Sequence, residues 1–128
     1  MDPLQLGAKQ QRLVKSGGGY EVVHTSAGLE VGIYVLVAPE PDRQQPHEVD
    51  EVYVVLEGRG RLDVEGESVD LAEGQAIFVP AHANHRFTGY ENLSVLVIFA
   101  GSASPTNGLS FDPTPGPGDS EGGDIYAP

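Results

Sequence analysis

Two short stretches of this 128-residue chain carry the side chains that could do chemistry. The first is Gln45-Pro46-His47-Glu48-Val49-Asp50-Glu51-Val52-Tyr53. In an extended strand side chains alternate, so Gln45, His47, Glu51, Tyr53 and Val55 share one face and present imidazole and carboxylate together. The second runs from Gly74 to Phe87: a glycine turn, the strand Ala76-Ile77-Phe78-Val79, a tight connection led by Pro80, and His85 opening the next strand. Fifteen residues, Arg59 to Glu73, separate the two stretches, enough for a hairpin that returns both to one end of a barrel. His47, Glu51 and His85 are therefore the candidate ligands of one divalent metal. Two imidazoles and a carboxylate suit a first-row ion that keeps open coordination positions. A closed structural zinc site would want four protein ligands, usually thiolates, and the chain has no cysteine.

Gln45 is the fourth candidate ligand. Its amide oxygen is weaker than imidazole but binds a hard cation, or it leaves the position to water and hydrogen-bonds to it; both options stay open. Tyr53 shares the predicted face of the ligands and is the first candidate to line the pocket. Phe78, Phe87 and His82 follow it, although aromatic residues at such places more often pack a core. His82 lies in the turn beside Pro80, at the surface or just behind the ligands. Asp50 should point away from Glu51, and Arg59 and Arg61 should pair with nearby acids. His24 reads as an ordinary strand residue. The chain has no Gly-x-Ser-x-Gly elbow and no Gly-x₄-Gly-Lys phosphate loop, and no second acid stands out to go with Glu51 as a glycosidase pair.

The elements that would hold these residues are strands. From Tyr20 to Ala100 short β-branched runs alternate with turn residues: 20–25, 29–38, 51–56, 61–65, 68–71, 76–79, 85–89 and 93–100. Eight or so such runs, with no apolar period near 3.6, predict an all-β sandwich or barrel with little helix. Residues 1–18 form a polar N-terminal segment in which Leu4, Leu6, Leu13 and Val14 make an edge strand or pack against a neighbour. Residues 19–100 form the barrel, and residues 101–128 a Gly/Pro-rich tail with apolar anchors at Leu109, Phe111, Ile125 and Tyr126. Two runs, 29–38 and 93–100, are apolar on both alternations and so need a second cover, which points to a homodimer or to packed sheets in one chain.

With 19 acidic against 7 basic residues, a net charge of -12 repels phosphate backbones and anionic lipid, so neither nucleic acid nor membrane is an expected partner. The absence of an apolar leader or spanning segment in the sequence makes a cytoplasmic protein the expectation.

At the two motifs the chain resembles a single-domain cupin. That family's first motif is a glycine, His-x-His, a glutamate three or four residues on, and a later glycine. Here His47, Glu51 and Gly58 match, Gln45 replaces the first histidine, and Glu40 stands where the leading glycine would be. The second motif is matched at Gly74, Pro80 and His85, with His82 for its inner glycine and Gly89 for its asparagine. The resemblance covers about residues 29–100 and implies a double-stranded β-helix, or jelly-roll barrel, with one divalent ion (Fe, Mn, Ni or Zn). It implies a metal-dependent enzyme on a small polar metabolite; the donor set favours an oxygenase. A sugar isomerase, epimerase or lyase, or a small-ligand-binding module without turnover, are the alternatives. The family's habit reinforces the homodimer.

Overall fold

The computed structural model describes residues 1–101; the tail and its four apolar anchors lie outside them. One helix, α1 (Leu6–Lys15), precedes seven strands: β1 (Gly19–Ser26), β2 (Leu29–Val37), β3 (Glu51–Val64), β4 (Glu67–Ala72), β5 (Ala76–Val79), β6 (His85–Thr88) and β7 (Asn92–Ala100). All pairings are antiparallel. The order is β1-β2-β7-β3-β4, with β5 and β6 also paired to β3. The fold is the all-β double-stranded β-helix expected from the motifs.

Strand β3 is where the fold departs from the turn expected at Gly58–Gly60. The runs 51–56 and 61–65 are one 14-residue strand. Its first half pairs with β5 and β7, its second with β4 and β6, and the register shifts between Val55 and Glu57. A bulge bends a strand without ending it, so the glycines serve a corner rather than a turn. Gly58 has φ +87, and a Cβ there would sit 2.1 Å from the Asn92 carbonyl oxygen.

Residues paired across antiparallel strands share a face, and the register therefore defines the interior. One inward row is Glu30–Phe99–Glu51, the next Gly32–Val97–Tyr53, the next Tyr34–Val95–Val55. Leu93, Val95, Val97 and Phe99 are fully buried, each stabilising by about 1.5–3 kcal/mol relative to exposure.

The N-terminal segment is a helix, not an edge strand. Its half-buried positions are Leu6, Lys9, Gln10 and Leu13, which recur at helical spacing, but only two of the four are apolar, so hydropathy hid the period. Ser16 and three glycines with positive φ stop it, and Gly18 N–H donates to Leu13 O at 2.8 Å. The outward residues Ile33 and Val35 of β2 are buried, and α1 packs against β2. Part of the doubly apolar pattern is thus answered within the chain. Further along that face Val52, Leu96 and Ile98 are half-buried and Phe78 is exposed.

Polar contacts pin the helix. Lys9 Nζ and Arg12 Nη2 donate to Glu21 at 2.8 and 2.7 Å, and these hydrogen bonds, with the two positive charges, hold the Glu21 carboxyl below its ordinary range. A depressed folded pKa stabilises above the unfolded value and is lost as pH falls through the folded one. The pair is solvent-facing, so Glu21→Gln should cost at most about 1 kcal/mol at neutral pH. Its urea midpoint should converge with wild type in acid; a gap that persists there would contradict this role.

Candidate metal centre

His47, Glu51 and His85 come together. Each can offer a ligand atom such that all three lie within 4.8 Å of one another, and all three residues are buried. Ligand bonds of about 2.0–2.2 Å fit a donor set this compact. Glu51 opens β3 and points inward with Tyr53; His85 opens β6 on the same strand's far half. His47 is not on a strand as the alternation assumed but in the loop that leads into β3. It is held there by its carbonyl, which accepts from His82 N–H at 2.6 Å, and by its ring, which meets Phe99 edge-on at 5.0 Å.

Neither carboxylate oxygen of Glu51 has a hydrogen-bond partner of normal geometry among the described residues. Its nearest basic atom is His85 Nε2, 3.3 Å from Oε1. His85 Nδ1–H donates to the Ala83 carbonyl at 2.9 Å, which leaves Nε2 as the ligating nitrogen. Burial alone would lower the His85 pKa. The Glu51 carboxylate close to its Nε2, with smaller help from Ala83 O and Asp42, outweighs it and raises the value.

Behind His85 lies a network not foreseen in the sequence. Tyr53 OH lies 3.1 Å from His85 Nε2 and donates to Gln44 Oε1 at 2.8 Å. Gln44 Nε2 donates to Asp42 Oδ2. Asp42, 2 % exposed, also accepts from Tyr34 OH at 2.7 Å, Gln44 N at 3.2 Å and Phe87 N at 2.8 Å. Burial raises the Asp42 carboxyl, against those four bonds. Burial, then the charges of Glu51 and Asp42, push the Tyr53 phenol well above its usual value.

The other named residues fall as follows. Gln45 is half-buried; the amide this loop drives fully inward is that of Gln44. Phe87 is buried and packs edge-on against Tyr53 at 4.8 Å, in the core beside the cluster. Phe78 faces out, 56 % exposed, because it pairs with Val52 on the face opposite Glu51 and Tyr53. It does not line the interior. Nor does the His82 side chain, which is exposed. His82 has φ +71, the left-handed conformation that explains a glycine at this motif position. His82→Gly should therefore leave stability within about 0.5 kcal/mol and metal content unchanged. Loss of metal from that variant would make His82 a ligand after all. Asp50 is exposed, and its Oδ1 accepts from Ala81 N–H at 2.9 Å, tying the two motif loops.

Glu30 also went unread: fully buried, it sits next to Phe99 in the row that ends at Glu51, and Tyr20 OH donates to its Oε2 at 3.0 Å. An acid inside the apolar run 29–38 was the available signal for Glu30. Asp42 and Gln44 lie in a Pro-rich loop with no period to mark them.

Comparison with known proteins agrees with this geometry. The cupin domain family profile matches residues 33–99. An uncharacterised protein of Streptomyces coelicolor is 35 % identical over 101 residues, covering 78 % of this chain and 96 % of that one. The TT1209 protein of Thermus thermophilus superposes with a TM-score of 0.67 at 28 % identity, over 79 % of this chain and 98 % of that one. An RmlC-like cupin of Methanocaldococcus jannaschii, with a double-stranded β-helix fold, gives 0.61 at 16 % identity, over 66 % and 81 %. The inward His-Glu-His cluster, the antiparallel β-helix around it and these matches together make the chain a member of the cupin family.

Proposed function

We propose that this cupin is a metal-dependent enzyme acting on a small polar molecule inside the barrel. The observation that carries the proposal is Glu51: a carboxylate 2 % exposed, without a hydrogen-bond partner for either oxygen among the described residues, facing two buried imidazoles. A buried anion in that state is costly unless a cation completes it. His47, Glu51 and His85 would hold a divalent ion, with Gln45 the candidate to complete or tune its shell. The bound ion supplies Lewis acidity, and the His₂-carboxylate donor set favours non-haem iron oxygenation over isomerase or lyase chemistry. The chain's own contribution is to fix the His85 tautomer through Ala83 O, to exclude water with Phe99 and Phe87, and to keep the Tyr53 phenol protonated beside the site.

The test is metal-dependent unfolding. After dialysis against iron, manganese, nickel or zinc, the unfolding temperature should rise for at least one ion, as required of any ligand that binds only the folded state. His47→Ala and His85→Ala should abolish the rise; Gln45→Ala should reduce it if the amide is a ligand and leave it intact if not. Equal rises in wild type and in both histidine variants would sink the proposal.

A further inference from the structure

Beside the cluster, a single phenol proton has more than one place to go. Tyr53 OH lies 2.8 Å from Gln44 Oε1 and 3.1 Å from His85 Nε2. His85 spends its Nδ1–H on the Ala83 carbonyl at 2.9 Å, so the neutral ring turns a lone pair toward Tyr53. Glu51 Oε1, 3.3 Å from the same Nε2, also only accepts as a carboxylate. A Tyr53 proton aimed at Nε2 would occupy the lone pair through which His85 holds an ion. Which acceptor takes that proton therefore decides whether this nitrogen is open to metal.

The choice is made one step further back, at Asp42. Its Oδ1 accepts from Tyr34 OH and Gln44 N, and its Oδ2 from Phe87 N. Three donors from three different parts of the chain hold this buried carboxylate as an acceptor. The Gln44 side chain must then meet it with its NH₂, which donates to Oδ2; the reverse orientation would press an amide oxygen against a carboxylate oxygen. With the NH₂ committed to Asp42, Oε1 faces Tyr53 and takes its proton. Both Asp42 and Gln44 are buried, so bulk water does not compete for these bonds.

We propose that Gln44, oriented by Asp42, is a positioning residue for the metal site: it draws the Tyr53 proton away from His85 Nε2 and so keeps that nitrogen free for the ion. The proposal rests on the metal-enzyme reading of the same site. The experiment measures affinity, by competition with a chromophoric chelator, for whichever of iron, manganese, nickel and zinc the wild type takes up. Gln44→Met keeps the length of the side chain and removes its strong acceptor, so the Tyr53 proton turns to Nε2 and affinity should fall by about tenfold. Adding Tyr53→Phe removes the competing proton, and the double variant should recover most of the loss. A merely structural role for Gln44 predicts the opposite, a second truncation compounding the first. Nitrogen NMR of the metal-free wild type, at a pH where His85 is neutral, is an independent check that needs no Gln44 variant. Its Nε2 should resonate as a free imine nitrogen, and a resonance shifted to the hydrogen-bonded position would overturn the inference. So would a Gln44→Met protein that binds the ion as the wild type does, or a double variant no better than Gln44→Met; both leave the metal reading standing. A wild type that takes up none of the four ions overturns both.

Discussion

Glu51→Gln is expected to stabilise the metal-free protein above neutral pH while abolishing metal uptake. The two effects have one cause. Without an ion, the carboxylate is buried beside His85 with no hydrogen bonds to its oxygens, and replacing it with an amide of the same shape removes a desolvation penalty of about 1–3 kcal/mol. With an ion, the same replacement removes the only negative ligand. The pH dependence follows from His85, whose folded pKa is raised. Its ion-pair contribution is fully present below its unfolded value and is lost as pH rises through the folded one. The gain in the variant should therefore grow with pH and shrink or reverse in acid. Denaturant titrations of metal-free wild type and variant across that range check the first effect, and elemental analysis of each after reconstitution checks the second. A variant that is less stable at every pH would mean that Glu51 is a satisfied core residue.

The largest stability effect away from the site is expected at Gly58. Its φ of +87 disfavours any Cβ, and an added Cβ would lie 2.1 Å from Asn92 O and 3.1 Å from Asn92 C. Those atoms are backbone, held by the pairing of Gly58 with Leu93, whose side chain is fully buried, so they cannot swing aside. Gly58→Ala should cost about 3 kcal/mol or more. Gly66→Ala is the control: φ is +88 but nothing lies within 4 Å of the added atom, so only the left-handed penalty of about 1–2 kcal/mol applies. Urea midpoints separate the two. Equal losses would show that the β3 corner relaxes and that the Asn92 approach does not constrain it.

The strands were legible because their alternation is simple: 76–79 was read to the residue, and 93–100 to within one. The His-Glu-His cluster was legible because His47, Glu51 and His85 are chemically unlike their apolar neighbours. What escaped reading depends on tertiary context. The corner at Gly58 looks like a turn in sequence, since glycine marks both, and only its partners on β7 and β4 reveal one continuous strand. Helix α1 gains its place from contacts that hydropathy does not score, among them Lys9 and Arg12 on Glu21. Phe78 lies on a strand that was read correctly, yet its face depends on pairing with Val52 rather than with Glu51. The interior amide is Gln44 rather than its neighbour because the loop before β3 does not keep the two-residue alternation of a strand.

The central claim is that three side chains hold one ion, and the direct measurement is elemental analysis of purified, reconstituted protein beside its His85→Ala variant. The account predicts close to one divalent ion per chain in the wild type and none in the variant. No ion in the wild type after exposure to iron, manganese, nickel and zinc, or equal metal in both proteins, would contradict it.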